Sequence, residues 1–433
     1  CLYFSLKEII KKKKVDKIIV EDIYIYKNIK NIFNKTIILK KKRKRNLIKI
    51  TKTFFYHNII FFFVKLFVKK KLFTNQINIV DRFQTDTNLK IDRYYNNYFK
   101  NKKYIYLITF VGLNFLKTFR CIIQMKSEKF ILIQNYITFM DLIYSFGYLF
   151  RKNLLIKKNY KFRNLEISEL LKKKLNNLDN LNATIIGIQN FLLIKKLKDL
   201  NFRINKFINW FENSNVDKGF NFGFKKFLPN VRTIGYQGFF VEKEWMYLDP
   251  SNAEYMCGVI PKKIVCINSK LIKSRKEYCK KLKVFKGINI RFQNNYNCNY
   301  KAKYNDSILV VLNIDKSNSE MIIKEVIKSK FCILGKKIFI KEHPLLKLDK
   351  FYHSKLPNNI KIIHGDYASI IKKFKVVISS GSTSSIIEAI LANCNIIFPF
   401  NNYFDNYNLE ELNISKKIYR VCKKANDLDN SIN

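Results

Sequence analysis

Val376-Val377-Ile378-Ser379-Ser380-Gly381-Ser382-Thr383-Ser384-Ser385, running directly into Ile386-Ile387-Glu388-Ala389-Ile390-Leu391-Ala392, decides the fold of this chain. A short β-branched apolar run predicts a buried strand, and the apolar spacing after it predicts a helix over 383–392. Between them lies a loop of small, hydroxylated residues. A strand that turns at once into a helix presents unpaired backbone N–H groups to one point, together with any hydroxyls in the loop. That point suits a phosphate. Ser382, Thr383 and Ser384 are therefore candidate phosphate ligands, the plain alternative being that one hydroxyl caps the helix.

Working outward, Lys337 to Lys341 predicts another strand, closing on Glu342-His343-Pro344. A residue before proline is held extended, so the His343 imidazole would stand at the carboxyl edge of the same sheet. There it could donate to a phosphate oxygen as a leaving group gains charge, or simply sit half-buried at a strand end. Glu388 falls about a turn and a half into the helix. It could accept hydrogen bonds from ribose hydroxyls, or be a solvated carboxylate. Strands over 308–313, 360–363, 375–379 and 395–398 alternate with helices over 319–329 and 367–374, which predicts a Rossmann-like domain.

The polar stretch Asn294 to Asp306 reads as a linker, which divides the chain into an amino-terminal domain over 1–300 and a carboxyl-terminal domain over 301–433. The first domain also alternates. Ile208 to Phe211 reads as a strand tip, Asp217 to Phe227 as a helix, Thr233 to Phe240 and Lys263 to Asn268 as strands, and Lys270 onward as a basic helix. A parallel α/β sheet follows, with extra helices between Leu165 and Asn201. Glu212, at the strand tip, is the best-placed base for deprotonating an acceptor hydroxyl across a cleft, with Asp217, Asp249 and Glu254 as other acids in reach. Each has a structural alternative.

Closer to the amino terminus, Asp16 to Asp22 predicts a strand, and no acid occurs from Ile23 to Val80. Basic runs at 40–45 and 69–71 flank an aromatic-rich segment from Phe54 to Phe67. Such a segment either lies on an anionic membrane or is a solvated face with its apolar residues in the core.

With 433 residues, 48% of them hydrophobic, the chain can build two cores. Its formal charge of +49 follows from 82 basic against 33 acidic residues, with Lys, Asn, Ile, Phe and Tyr in excess, the set encoded by A/T-rich codons. A positive field of this size favours an anionic partner: lipid, phosphorylated substrate or nucleic acid. Nine scattered cysteines suit a reduced, cytosolic compartment, and four histidines without HExxH spacing make no zinc site. The apolar runs at 59–63 and 130–150 are broken by polar residues, so neither reads as a membrane span. No signal peptide is expected, and a chain opening on Cys1 reads as incomplete at its amino terminus. There is no GxGxxG, Gly219 to Lys225 lacks P-loop spacing, and 380–384 is not GxSxG.

The pair formed by Lys341-Glu342-His343-Pro344 and Ile378 to Ala389 resembles the His-Pro and serine motifs of GT-B glycosyltransferases, notably sialyltransferase-like, Kdo-transferase-like and capsule or lipopolysaccharide biosynthesis enzymes. Trp210-Phe211-Glu212-Asn213, Asp217-Lys218 and Thr233 to Gly238 are similar to the amino-terminal half of surface carbohydrate biosynthesis proteins. The resemblance spans about 208–400. It implies two Rossmann-like domains facing a cleft and a metal-independent transferase that moves a sugar from a nucleotide-sugar donor to a surface glycan or glycolipid. It needs no cofactor. It places Ser379, Ser380, Ser382 and Thr383 with His343 on the donor phosphate, and Glu388 on the ribose. A cytoplasmic protein is implied, with peripheral attachment to the inner face of the plasma membrane as an option. Gly238, where relatives often carry His, and Asn393 to Ile396 depart from the pattern. A glycerophosphotransferase or sugar-nucleotide epimerase of similar fold is the first alternative. A basic nucleic-acid-binding protein is the second, although no nucleic-acid-binding signature occurs.

Overall fold

The computed structural model describes residues 17–20, 36–39, 46–90, 92–100, 102–125, 130–155, 160–162, 165–178, 180–239, 246–293, 304–343, 346, 348, 356–380, 384–399, 414–415, 417–422 and 427–428. Two short strands, β1 (Lys17–Val20) and β2 (Thr36–Leu39), pair in parallel ahead of a long helix, α1 (Asn46–Phe67).

The first large sheet begins with β3 (Ile77–Gln84), β4 (Tyr104–Phe110), α2 (Phe115–Gln124) and β5 (Phe130–Leu132). A helical excursion follows: α3 (Phe139–Phe146), α4 (Tyr148–Arg151), a two-residue antiparallel pair β6 (Lys161–Phe162) and β7 (Leu165–Glu166), then α5 (Ser168–Asn176) and α6 (Leu181–Asp199). The chain then returns to the sheet through β8 (Ile204–Trp210), α7 (Asn215–Phe227), β9 (Arg232–Gln237), α8 (Asn252–Cys257), β10 (Lys263–Cys266), α9 (Lys270–Glu277) and β11 (Lys283–Lys286).

The second sheet is built from β12 (Tyr304–Val311), α10 (Lys316–Lys328), α11 (Lys330–Ile333), β13 (Ile338–Lys341), β14 (Ile360–Ile362), α12 (Tyr367–Ile371), β15 (Phe374–Ser379), α13 (Ser385–Leu391), β16 (Asn395–Phe398) and β17 (Tyr419–Val421). Its order is β14-β13-β12-β15-β16-β17, and the first sheet runs β11-β10-β9-β8-β3-β4-β5. All pairings within the two sheets are parallel. Counted in chain order, each sheet starts at an inner strand, moves outward on one side, and then jumps back to build the other. Both halves are Rossmann-like, and the class is α/β. In each the order reverses at one place, between β3 and β8 and between β12 and β15, and a crevice opens at that switch point outside the carboxyl ends of the strands.

Packing explains why these sequences form central strands. On one face of the first sheet Val80, Tyr106, Ile208 and Trp210 pack with Ile60, Phe63 and Val64 of α1. On the other, Ile79, Leu107 and Phe207 pack with Leu193, Ile194, Phe220 and Phe224 of α6 and α7. A strand covered on both faces is apolar almost throughout instead of alternating. Gly187 and Gly219 let α6 and α7 approach backbone to backbone, since a Cβ on either would strike the partner helix. That packing accounts for glycine in the segment whose spacing failed as a P-loop.

The seven described cysteines are free, and six are buried. Among the described residues, no helix is long and apolar enough to cross a membrane.

Candidate functional site

At the switch point of the second sheet the hydroxyls hold the strand ends together. Ser379, buried and paired in register with Val311, donates its Oγ–H to the Val311 carbonyl at 2.9 Å. Ser380 Oγ, also buried, accepts from Asn313 Nδ2 at 2.8 Å. Asn313 in turn accepts from the Asp315 amide at 3.0 Å and lies 3.2 Å from Ser319 Oγ. Polar groups this deep need such partners, and the result is a braced edge directly beneath the loop. Gly381, Ser382 and Thr383 lie outside the described residues. Ser384 stands at the N-cap of α13 but makes no side-chain capping bond, so its hydroxyl is not what satisfies the helix's own amides.

His343 follows β13, the strand next to β12, and is half-buried. It forms an isolated bridge with Leu346, whose amide donates to the His343 carbonyl at 3.1 Å. Glu342, beside it, is buried and accepts from the Leu348 amide at 2.7 Å. Pro344 lies outside the described residues. His343 thus follows the second strand from β15, which carries Ser379, with β12 between them.

The switch point of the first sheet is acidic and aromatic. Asp217 is fully buried and is the hub of the turn: it accepts from Asn209 Nδ2 (3.1 Å), Glu212 N (3.0 Å), Ser214 N (2.9 Å) and Ser214 Oγ (3.0 Å). Asn213, at φ 53°, supplies the left-handed residue this turn requires. Burial pushes the Asp217 carboxyl up to about 7 against the pull of these donors. Its role is to build the turn that presents Glu212. Asp249 and Glu254 are likewise engaged, Asp249 with buried Arg275 and Glu254 with Lys218 at 2.8 Å and the Ser251 cap.

Glu212 is different. Its side chain reaches solvent, yet surrounding atoms crowd it and push its carboxyl above the usual range, while a 2.8 Å bond from Trp210 Nε1 and the charge of Arg291 oppose the shift. Arg291 lies over the rings of Trp210 (5.9 Å) and Phe292 (5.3 Å).

The two halves meet at α13, close enough to Arg291 for its charge to bear on an acid of each. Ile387 belongs to the same apolar cluster as Trp210, Tyr236 and Phe292 of the first half, whereas Ile386 and Ala389 pack on the second sheet. The helix α13 is therefore sandwiched between the halves, which is why it is apolar nearly all round. Glu388 rides on it, half-buried. Burial pushes its carboxyl up, with Asp366 adding to the shift, and the positive charges of Arg291 and Arg93 draw it down. Arg291 thus acts on Glu212 from one half and Glu388 from the other. Tyr94 completes the surroundings: burial, with Glu212 assisting, pushes its phenol up to about 12, and it stands edge-on to Trp210 at 4.8 Å.

Sequence reasoning named Glu212, His343, the serines and Glu388, but missed Arg291, Arg93 and Tyr94. A faint signal existed. Only 12 of the 82 basic residues are Arg, so each Arg in a lysine-rich chain stands out as a site for planar, forked recognition of an anion.

No protein-family model matches the chain, and no curated protein matches it. Solved structures similar in outline include the glycotransferase of kitacinnamycin (11% identity, 84% of this chain and 90% of that one, TM-score 0.45). The UDP-N-acetylglucosamine 2-epimerase from Rickettsia bellii is another (13% identity, 83% and 87%, TM-score 0.44). Acinetobacter baumannii MurG is a third (10% identity, 80% and 86%, TM-score 0.39).

Proposed function

We propose that this chain is a GT-B glycosyltransferase that moves a sugar from a nucleotide-sugar donor to a glycan or glycolipid acceptor. The observation that supports the reading is α13, which follows the hydroxyl-lined edge and packs Ile387 against Trp210, Tyr236 and Phe292 of the first half and Ile386 and Ala389 on the second, with the charge of Arg291 drawing down both Glu212 and Glu388. In this reading Glu212 takes the proton from an acceptor hydroxyl. The acceptor oxygen then bonds to the anomeric carbon as the bond from that carbon to the donor phosphate oxygen breaks, and the nucleotide leaves with the electron pair. A carboxylate raised toward working pH is suited to accept that proton.

His343, Ser384 and the loop residues Ser382 and Thr383 would face the leaving phosphate, with Ser379 and Ser380 bracing the edge beneath. Glu388 would hold the ribose hydroxyls. Arg291 and Arg93 would supply positive charge to the leaving group, the part a metal ion plays elsewhere. The reading extends to a cytoplasmic enzyme of capsule or lipopolysaccharide biosynthesis working at the inner face of the plasma membrane, on the strength of the motifs at 341–344 and 378–389.

Incubating the protein with UDP-, CMP- and GDP-sugars and following thermal shift and nucleotide release tests it. Stabilisation by one nucleotide class, with release of that nucleotide only when an acceptor is present, is the expected result. No shift with any of them contradicts the reading, and a changed sugar with no transfer moves it to an epimerase.

A further inference from the structure

We propose that one face of α1, continued by α3 and α4, is a docking surface for an anionic lipid bilayer. Ile48, Phe55, Ile59, Phe62 and Leu66 recur at helical spacing and form a single stripe. All five are exposed, Leu66 at 78%. The opposite side of the same helix, Ile60, Phe61, Phe63 and Val64, is buried in the core. A helix that is apolar all round is normally covered all round. Here, among the described residues, only one side is buried, the other meeting little beyond Phe139.

The stripe does not end with α1. Phe62 meets Phe139, the first residue of α3, with ring centroids 5.6 Å apart. From there Met140, Ile143 and Phe150 carry exposed apolar surface onward, Phe150 at 82%. Contiguous apolar surface on this scale marks an interaction site.

Charge identifies the occupant. Lys52, Lys69 and Lys70 are exposed on α1 and just beyond its end, and the sequence run Lys40 to Arg45 leads directly into it. No Asp or Glu occurs from Ile23 to Val80, and Asp141, the acid of α3, is held by Lys196 and by its own helix cap. A second copy of the chain would bring two basic rims face to face, at a cost. A bilayer carrying anionic headgroups would neutralise the rim and accept the rings at headgroup level. Because no described helix is long and apolar enough to span a membrane, α1 would lie on the bilayer. This surface rests on the proposed function and deepens it by fixing the membrane-facing side, but is built from exposed side chains that the proposed site does not use.

The test is co-sedimentation of the full chain with phosphatidylcholine vesicles, with and without phosphatidylglycerol, across a salt series. A cationic chain meets any anionic surface, so the deciding variant leaves charge unchanged: Phe55→Ser, Ile59→Ser, Phe62→Ser and Leu66→Ser together. The expected result is binding that needs phosphatidylglycerol and weakens about ten-fold or more in this variant, since each ring or branched chain inserted contributes separately. Phe62→Trp alone provides a readout that does not depend on the fourfold variant folding: its emission should shift to the blue on phosphatidylglycerol vesicles. Equal binding of wild type and fourfold variant, or no emission shift, overturns the proposal. Self-association that the variant abolishes, with no vesicle binding, assigns the face to a second copy instead. The nucleotide thermal shift should be the same in wild type and variant, so a failed transferase reading shows separately from failed docking.

Discussion

The two sheets share one winding and differ in what stands at the point where it reverses. Between β12 and β15 the side chains are small and neutral: Ser379, Ser380 and Asn313, bonded to each other or to backbone. Between β3 and β8 they are large and acidic: Asp81 and Asp217 fully buried, and Glu212 exposed and accepting from Trp210 Nε1. The strand order makes both crevices, and the residues at each rim divide the work. A neutral, N–H-rich edge suits an anion. An acidic edge suits a proton.

The largest effect expected from that division belongs to Glu212. Glu212→Gln keeps the shape and the Trp210 contact but cannot take a proton, so transfer should fall about 100-fold or more while the nucleotide thermal shift is retained. Equal loss of both would place Glu212 in donor binding and dissolve the contrast between the rims.

Next comes Asp217. Asp217→Ala leaves four donors without an acceptor in a closed interior, which should cost about 3 kcal/mol or more in urea unfolding. A loss under about 1 kcal/mol would mean the turn carrying Glu212 stands without it.

The acid-rich half should also set the pH dependence. Burial raises the carboxyls of Asp81, Asp92, Asp217 and Glu388, to about 7 for Asp217. A raised folded-state value means the folded protein holds the proton more tightly than the unfolded chain. That stability is fully present below the unfolded value near 4 and is lost as pH rises through the folded values. The urea midpoint should therefore fall between pH 5 and pH 8, and a midpoint that climbs over that window contradicts the burial of these acids. Arg291→Met removes a cation that holds Glu212 and Glu388 down, so the acid limb of the transfer rate should move to higher pH.

Much of this was legible along the chain. The strand at β15, its hydroxyl loop and the helix after it are local, and so are the alternations that predict both sheets. Two inner strands of the first sheet, β3 and β4, were not, although the end of β8 was. In β3, Asp81 and Arg82 interrupt an apolar run, yet both are buried, because the strand lies at the switch point with α1 on one side and α6 and α7 on the other. Charges inside a central strand mask its pattern. Ser379 and Ser380 read as loop hydroxyls, and only the sheet order, which places Val311 and Asn313 beside them, shows them as braces. Arg291 lies nearly 80 residues from Glu212 and almost 100 from Glu388 in the chain, a separation no local pattern bridges.

The smallest effect tests the neutral rim. Ser380→Ala removes the hydrogen bond between Asn313 Nδ2 and Ser380 Oγ and should cost about 1–2 kcal/mol of stability with a modest loss of nucleotide binding. A larger change in binding than in stability would turn Ser380 from brace into ligand.

The most direct measurement of the central claim, that both rims form one site around Arg291, is a crystal structure with the nucleotide that gives the greatest thermal shift. The account predicts phosphates at the start of α13 beside Ser384, ribose hydroxyls on Glu388, and Arg291 within reach of both the nucleotide and Glu212. A nucleotide bound away from the β15–α13 edge, with Glu212 and Glu388 facing separate spaces, would contradict it.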